Sequence, residues 1–181
     1  SGSRLISGNH SIHEQAEKFI ANYHQQEAAL LFNSGYDANL GLLSCIAQKN
    51  DTIIYDSLSH ASIRDGIRLS NSRSFSFKHN DKEDLISKIK QSTGQCFVVV
   101  ESIYSMDGDK ANLKEIEKIC QSSNALLIVD EAHATGVFGE KGEGLCTSIS
   151  TLARVHTFGK SLGCHGAVVL GSTTLIKYLI N

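Results

Sequence analysis

Three things are missing from this sequence: proline, any close pair of cysteines, and an apolar run long enough to cross a bilayer. The five cysteines (Cys45, Cys96, Cys120, Cys146 and Cys164) are odd in number and widely spaced. That argues against a disulfide framework or a zinc ribbon, leaves no expected metal site, and points to a reduced, cytoplasmic compartment. The longest apolar runs, Ala125–Val129 and Ala167–Leu170, fall far short of the roughly 20 residues a membrane helix needs. An excess of one charge is missing too. Seventeen Lys and Arg against 19 Asp and Glu leave a formal net charge of −2, which gives no electrostatic case for nucleic acid or an anionic membrane as partner. The lack of proline, against a usual share of about 5%, finds no physical explanation in the rest of the sequence.

What remains is ordinary globular material. The 181 residues are 41% hydrophobic and 20% charged, enough for one well-buried core. The first residue is Ser1 rather than an initiator methionine, which leaves a lost targeting segment open. No internal repeat, low-complexity stretch or linker interrupts the chain.

Helical and extended patterns alternate along it. Helical spacing predicts helices over Ile12–Tyr23, Tyr36–Gln48, Ala61–Leu69, Asp81–Lys90, Leu113–Cys120 and Ser172–Leu179. Strands are predicted at Ala28–Phe32, Thr52–Tyr55, Arg73–Phe77, Phe97–Val100, Leu126–Val129, Val155–Phe158 and Ala167–Leu170. Short apolar strands separated by helices predict an α/β fold, a mainly parallel sheet flanked by helices on both faces. Ligands of such sheets bind beyond the carboxyl ends of the strands, so the polar residues there carry the functional argument.

Asp130-Glu131-Ala132-His133 follows directly on an apolar strand. If the strand runs on through Ala132, its period of two turns Asp130 and Ala132 to the same side. Alone, the acid reads equally as a cap or a strand-end carboxylate. A helicase-type DEAH box would need an upstream GxxxxGK[ST] element. The sole Gly-Lys-Ser, Gly159–Ser161, lies downstream, with Arg154 where the first glycine belongs, and the helicase reading fails. Lys160 ends Thr157-Phe-Gly-Lys, thirty positions after Asp130. A lone lysine is usually a solvated surface charge. One placed after a strand, among glycines, can instead act as a nucleophile towards carbonyls when its pKa is lowered. Ser34-Gly35-Tyr36 opens a helix with free N–H groups suited to a phosphate. His60 opens another, and Ser105 precedes an Asp-Gly turn; neither is notable alone.

Six blocks together resemble the α-oxoamine synthase family of pyridoxal-phosphate (PLP) enzymes. They are Gly2-Ser-Arg-Leu-Ile-Ser-Gly8, Ser34-Gly-Tyr-Asp-Ala-Asn39, His60-Ala-Ser-Ile-Arg-Asp-Gly66, Tyr104-Ser-Met-Asp-Gly-Asp109, Asp130-Glu-Ala-His-Ala-Thr-Gly136 and Thr157-Phe-Gly-Lys160. They occur in the family's order and roughly its spacing, over nearly the whole chain. The last block is most similar to the family's biotin-pathway branch.

The resemblance implies the large domain of a fold-type-I, aspartate aminotransferase-like enzyme. It implies that Lys160 carries the cofactor as a Schiff base and then serves as base at the amino-acid Cα, and that Asp130 pairs with the pyridine nitrogen. His133 and Ser105 would bond the ring's phenolic oxygen, and His60 and Ala132 would lie on its two faces. Gly35 and Tyr36 backbone would hold the phosphate, with Thr157 at the same end. The implied reaction is decarboxylative condensation of an amino acid, L-alanine in that branch, with an acyl thioester such as a pimeloyl group on CoA or a carrier protein. Family members are about twice as long and act as homodimers. Residues 1–181 are therefore expected to be an incomplete PLP-binding large domain, without the N-terminal arm and C-terminal small domain and of uncertain activity alone. An aminotransferase or lyase of the same fold, or a non-catalytic fragment, are the alternatives.

Overall fold

A computed structural model describes residues 2–181; Ser1 lies outside the described residues. The elements run α1 (Ser11–Tyr23), β1 (Ala28–Phe32), α2 (Gly35–Ile46), β2 (Thr52–Asp56), α3 (Ala61–Leu69) and β3 (Arg73–Phe77). They continue with α4 (Lys82–Ile89), β4 (Cys96–Glu101), α5 (Leu113–Ser122), β5 (Leu126–Asp130), β6 (Ala153–Thr157), β7 (Ala167–Gly171) and α6 (Thr173–Ile180). The predicted elements all form, with ends shifted by a few residues. One sequence expectation is corrected: β5 stops at Asp130, and Ala132 lies in a turn rather than on the strand. The turn begins because Asp130 folds back to accept the Ala132 N–H at 2.8 Å, which removes that donor from the sheet ladder.

The strands make one seven-stranded sheet in the order β1-β7-β6-β5-β4-β2-β3. Neighbours are parallel from β6 through β5, β4, β2 and β3, while β7 runs antiparallel to both β1 and β6. β7 alone among the described strands is therefore reversed, and the sheet is mainly parallel as expected.

Alternation along each strand divides the core into layers. Ile53, Phe97, Val99, Ile128 and Val155 face one way and meet Leu42 and Leu43 of α2, Ile63 and Ile67 of α3, and Leu175 and Ile176 of α6. Ile54, Val98, Val100, Leu127 and Val129 face the other way, against Leu85 and Ile89 of α4 and Leu113, Ile116 and Cys120 of α5. Ala21 of α1 extends that second layer over Ala29, Val168 and Leu170. Both faces of the central strands are covered, which is why they read as unbroken apolar runs. At one edge, β3 keeps Arg73, Ser74 and Ser76 exposed, a polar border that discourages further strand addition.

Helices α2 and α3 pack closely because α3 carries Gly66 at their crossing. A Cβ there would lie 2.9 Å from the Asn39 carbonyl oxygen and 3.0 Å from Leu43 Cβ. Gly66→Ala should therefore destabilise by about 1–3 kcal/mol through overpacking, although alanine is the better helix former. A lower urea midpoint with unchanged slope is the expected result; a higher midpoint would show that the two helices part without strain.

Candidate active site

Because β1, β2, β4, β5 and β6 all point the same way, their carboxyl ends share one edge of the sheet. β4, β5 and β6 end there in Glu101, Asp130 and Thr157, and a cavity of about 140 Å³ forms beside them. Its walls are Gly35, Tyr36, Asn39, His60, Ser62, Glu101, Asp130, Ala132, Thr157 and Lys160. This is where ligands bind in such sheets.

One wall is the N-terminus of α2. Ser34 caps it, with Oγ accepting the Asp37 N–H at 3.1 Å. The N–H groups of Gly35 and Tyr36 precede the first intrahelical bonds and are free to face an anion. Glycine at 35 allows a close approach, since a Cβ would come within 3.3 Å of Thr157 Cβ, where α2 meets the end of β6.

Asp130 forms the floor. It is 5% exposed and makes no ion pair among the described residues. Its Oδ2 accepts from Asn39 Nδ2 at 2.7 Å, and its Oδ1 accepts from the Ala132 N–H. Asn39 Nδ2 also donates to Ser62 Oγ at 3.0 Å, and Ser62 Oγ lies 2.8 Å from His60 Nδ1. His60 caps α3, its Nδ1 accepting the Ser62 N–H at 3.2 Å. With Nδ1 an acceptor, the neutral ring carries its proton on Nε2. The His60 N–H in turn donates to Glu101 Oε1 at 2.6 Å. Asp130, Asn39, Ser62, His60 and Glu101 thus form a hydrogen-bonded belt around the cavity.

Lys160 reaches in from the loop after β6. It is exposed as a residue, and its side chain lines the cleft. Burial pushes its pKa down, opposed by the attraction of Asp130 and Glu101. Its Nζ lies 2.6 Å from His133 Nε2. Burial, and then the lysine charge, hold the His133 pKa down as well, so neutral His133 accepts from the ammonium. The Glu101 carboxyl is pushed up to about 7, first by burial and then by Asp130, its register partner on β5.

Of the residues singled out in the sequence, Gly35, Tyr36, His60, Asp130, Ala132, Thr157 and Lys160 all line the cavity, and His133 joins through Lys160. Ser105 sits exposed in the turn after β4 and is not among the residues lining this cavity. Asn39, Ser62 and Glu101 were not singled out as site residues. Glu101 had a legible signal, since it ends Cys96–Val100 as Asp130 ends Leu126–Val129. Asn39 lies one helical turn beyond Gly35, a polar residue ahead of buried Leu42 and Leu43.

A mainly parallel sheet with a strand-end carboxylate facing a lysine across an anion-ready helix start defines a class, and comparison with known proteins agrees. The chain belongs to the family described as aminotransferase class I and II, which matches residues 1–181. More particularly, it is 42% identical over 199 aligned residues to an 8-amino-7-oxononanoate synthase of Emericella nidulans, an alignment covering 99% of this chain and 48% of that one. A variant serine palmitoyltransferase from S. paucimobilis, solved with a bound PLP–myriocin aldimine, superposes with a TM-score of 0.93 at 34% identity, over 99% of this chain and 48% of that one. An 8-amino-7-oxononanoate synthase from Francisella tularensis gives 0.84 at 33%, over 99% and 52%. These are α-oxoamine synthases, the group the six sequence blocks resemble. The chain spans about half the length of the curated relatives it matches.

The titration of Glu101 makes a stability prediction. The folded state holds this proton more tightly than the unfolded one, so stability falls as pH rises from the ordinary carboxylate range through about 7. Keeping the charge buried at pH 8 costs on the order of 3 kcal/mol. Glu101→Gln should stabilise by about 1–3 kcal/mol at pH 8 and by little at pH 4. Urea unfolding at the two pH values checks this, and an equal effect at both would assign the change to packing instead.

Proposed function

We propose that this chain is the cofactor-binding large domain of a PLP-dependent α-oxoamine synthase, which joins an amino acid to an acyl thioester with loss of carbon dioxide. The observation that carries the reading is the convergence of Lys160 and Asp130 on one cavity whose third wall is a free helix N-terminus. The cavity's chemistry fits the cofactor. Asp130 is a buried carboxylate with two N–H donors and no ion pair among the described residues, which suits a protonated pyridine nitrogen as its partner. The N–H groups of Gly35 and Tyr36 suit a phosphate, with the Thr157 hydroxyl beside them. Lys160 supplies an amine of lowered pKa to hold the aldehyde carbon.

When bound, PLP supplies an electron sink for the pair left at the amino-acid Cα after proton loss. The chain's own residues do the rest. Asp130, braced by Asn39 and the Ala132 N–H, keeps the ring nitrogen protonated. Lys160 Nζ removes the Cα proton, and His133 accepts a hydrogen bond from that amine and aims it. His60 and Ala132, which both line the cavity, would hold the ring between one aromatic and one small side chain. Ser105 is assigned a hydrogen bond to the phenolic oxygen by resemblance alone.

By similarity to the oxononanoate synthases, the amino acid is L-alanine and the acyl donor a pimeloyl thioester, a step of biotin synthesis in the cytoplasm. The remaining half of the relatives' length would provide the N-terminal arm, the small domain and part of the thioester site, and two copies would complete the centre as a homodimer. No helix among the described residues is long and apolar enough to cross a membrane.

Two measurements test this reading. Incubation with PLP followed by borohydride reduction and peptide mapping should place the label on Lys160; label scattered over surface lysines would refute the assignment. In Asp130→Asn the labelling yield should stay within about tenfold, because Lys160 is untouched. The ring nitrogen of ¹⁵N-labelled PLP should nevertheless change from protonated to unprotonated near pH 8. Loss of labelling would make Asp130 a folding group, and an unchanged nitrogen would remove its proposed role.

A further inference from the structure

Glu101 has no part in the chemistry set out above, yet it is 3% exposed and lines the same cavity. Among the described residues a single hydrogen bond reaches its carboxylate, the 2.6 Å contact from the His60 N–H. A buried charge with one partner is costly, and a neutral carbonyl could accept the same N–H at less expense. What an ionised acceptor adds is strength, about twice that of a neutral hydrogen bond. It acts at the residue that begins α3 and presents its imidazole to the cavity.

We infer that Glu101 is a positioning residue whose carboxylate, by gripping the His60 backbone N–H, fixes the imidazole in the orientation it presents to the cofactor. His60 is then held at two points. Glu101 holds its backbone, and Ser62, itself tied through Asn39 to Asp130, holds its ring. The belt thereby links the residue placed on the ring's face to the residue placed at its nitrogen. What His60 faces rests on the cofactor reading above; how His60 is held does not.

The charged groups facing Glu101 come from several elements. Asp56 at the end of β2 and Asp130 at the end of β5 join burial in raising its pKa, while Lys160 and the His60 N–H oppose them. The balance puts its ionisation at about 7, so the grip is strong above that pH and weak below it. In this the sign is opposite to the stability effect: the form that costs the fold most is the one that orders His60.

The test uses the cofactor-free chain. Hydrogen exchange at the His60 amide, expressed as a protection factor, should rise by about tenfold between pH 6 and pH 8. The Val129 amide in the core of β5 should show no such step. In Glu101→Gln, which keeps an acceptor oxygen and removes the charge, the His60 step should vanish. A wild-type profile without a step overturns the inference. So does a step that survives in Glu101→Gln, since it then belongs to His60's own ring. PLP labelling of Lys160, run in parallel, separates the two ideas. Scattered label with the Glu101-dependent step intact rejects the cofactor reading alone, and label on Lys160 without the step rejects the positioning role alone.

Discussion

A buried carboxylate that makes no ion pair among the described residues is the constraint around which this site is arranged. At the end of β5 the buried Asp130 carboxylate receives two N–H donors, which offset part of the cost of removing it from water. One comes from its own turn and the other from Asn39 on α2, ninety-one positions earlier in the chain. Delivering that amide requires α2 to lie against the sheet at a set height, and α2 keeps that height by packing Leu42 and Leu43 into the core. The same helix points its N-terminus into the cavity. One packing decision therefore supplies both the carboxylate's partner and the anion-binding wall.

The belt from Asp130 through Asn39, Ser62 and His60 to Glu101 extends this dependence to α3. Three of its links join side chains and the fourth joins the His60 backbone N–H to Glu101, so each member restrains its neighbours. Gly66 matters here although it touches no ligand-facing group. It lets α3 approach the Asn39 carbonyl closely enough for Ser62 to reach the Asn39 amide. The apolar layers, the helix crossing and the polar belt form one connected arrangement.

Much of this was legible in the chain. Short apolar runs, the alternation in Arg73–Phe77 and helical spacing located all thirteen elements among the described residues, because strands covered on both faces and amphipathic helices must carry those patterns to be buried at all. Asp130, Lys160, His60 and the Ser34-Gly35-Tyr36 turn were legible as well, since polar residues that end apolar strands or begin helices stand out against their neighbours. Ser105 stood out by the same criterion, and it lies in an exposed turn outside the cavity lining. The strand-like pairing of Asp130 with Ala132 does not occur, as a local carboxylate–amide bond accompanies the end of β5 at Asp130.

The hidden residues were those whose importance is relational. Glu101 becomes a site residue only when β4 and β5 align it with Asp130, and Asn39 only when α2 crosses the sheet above that carboxylate. By itself the sequence determined the alternating layers, the family and the chemically distinctive groups, because these depend on residue type and on spacing within one segment. Tertiary structure alone decided which of those groups meet, which backbone N–H each carboxylate receives, and how far burial shifts Lys160 and Glu101. Those properties depend on distances between segments tens of residues apart, and no local pattern encodes a distance of that kind.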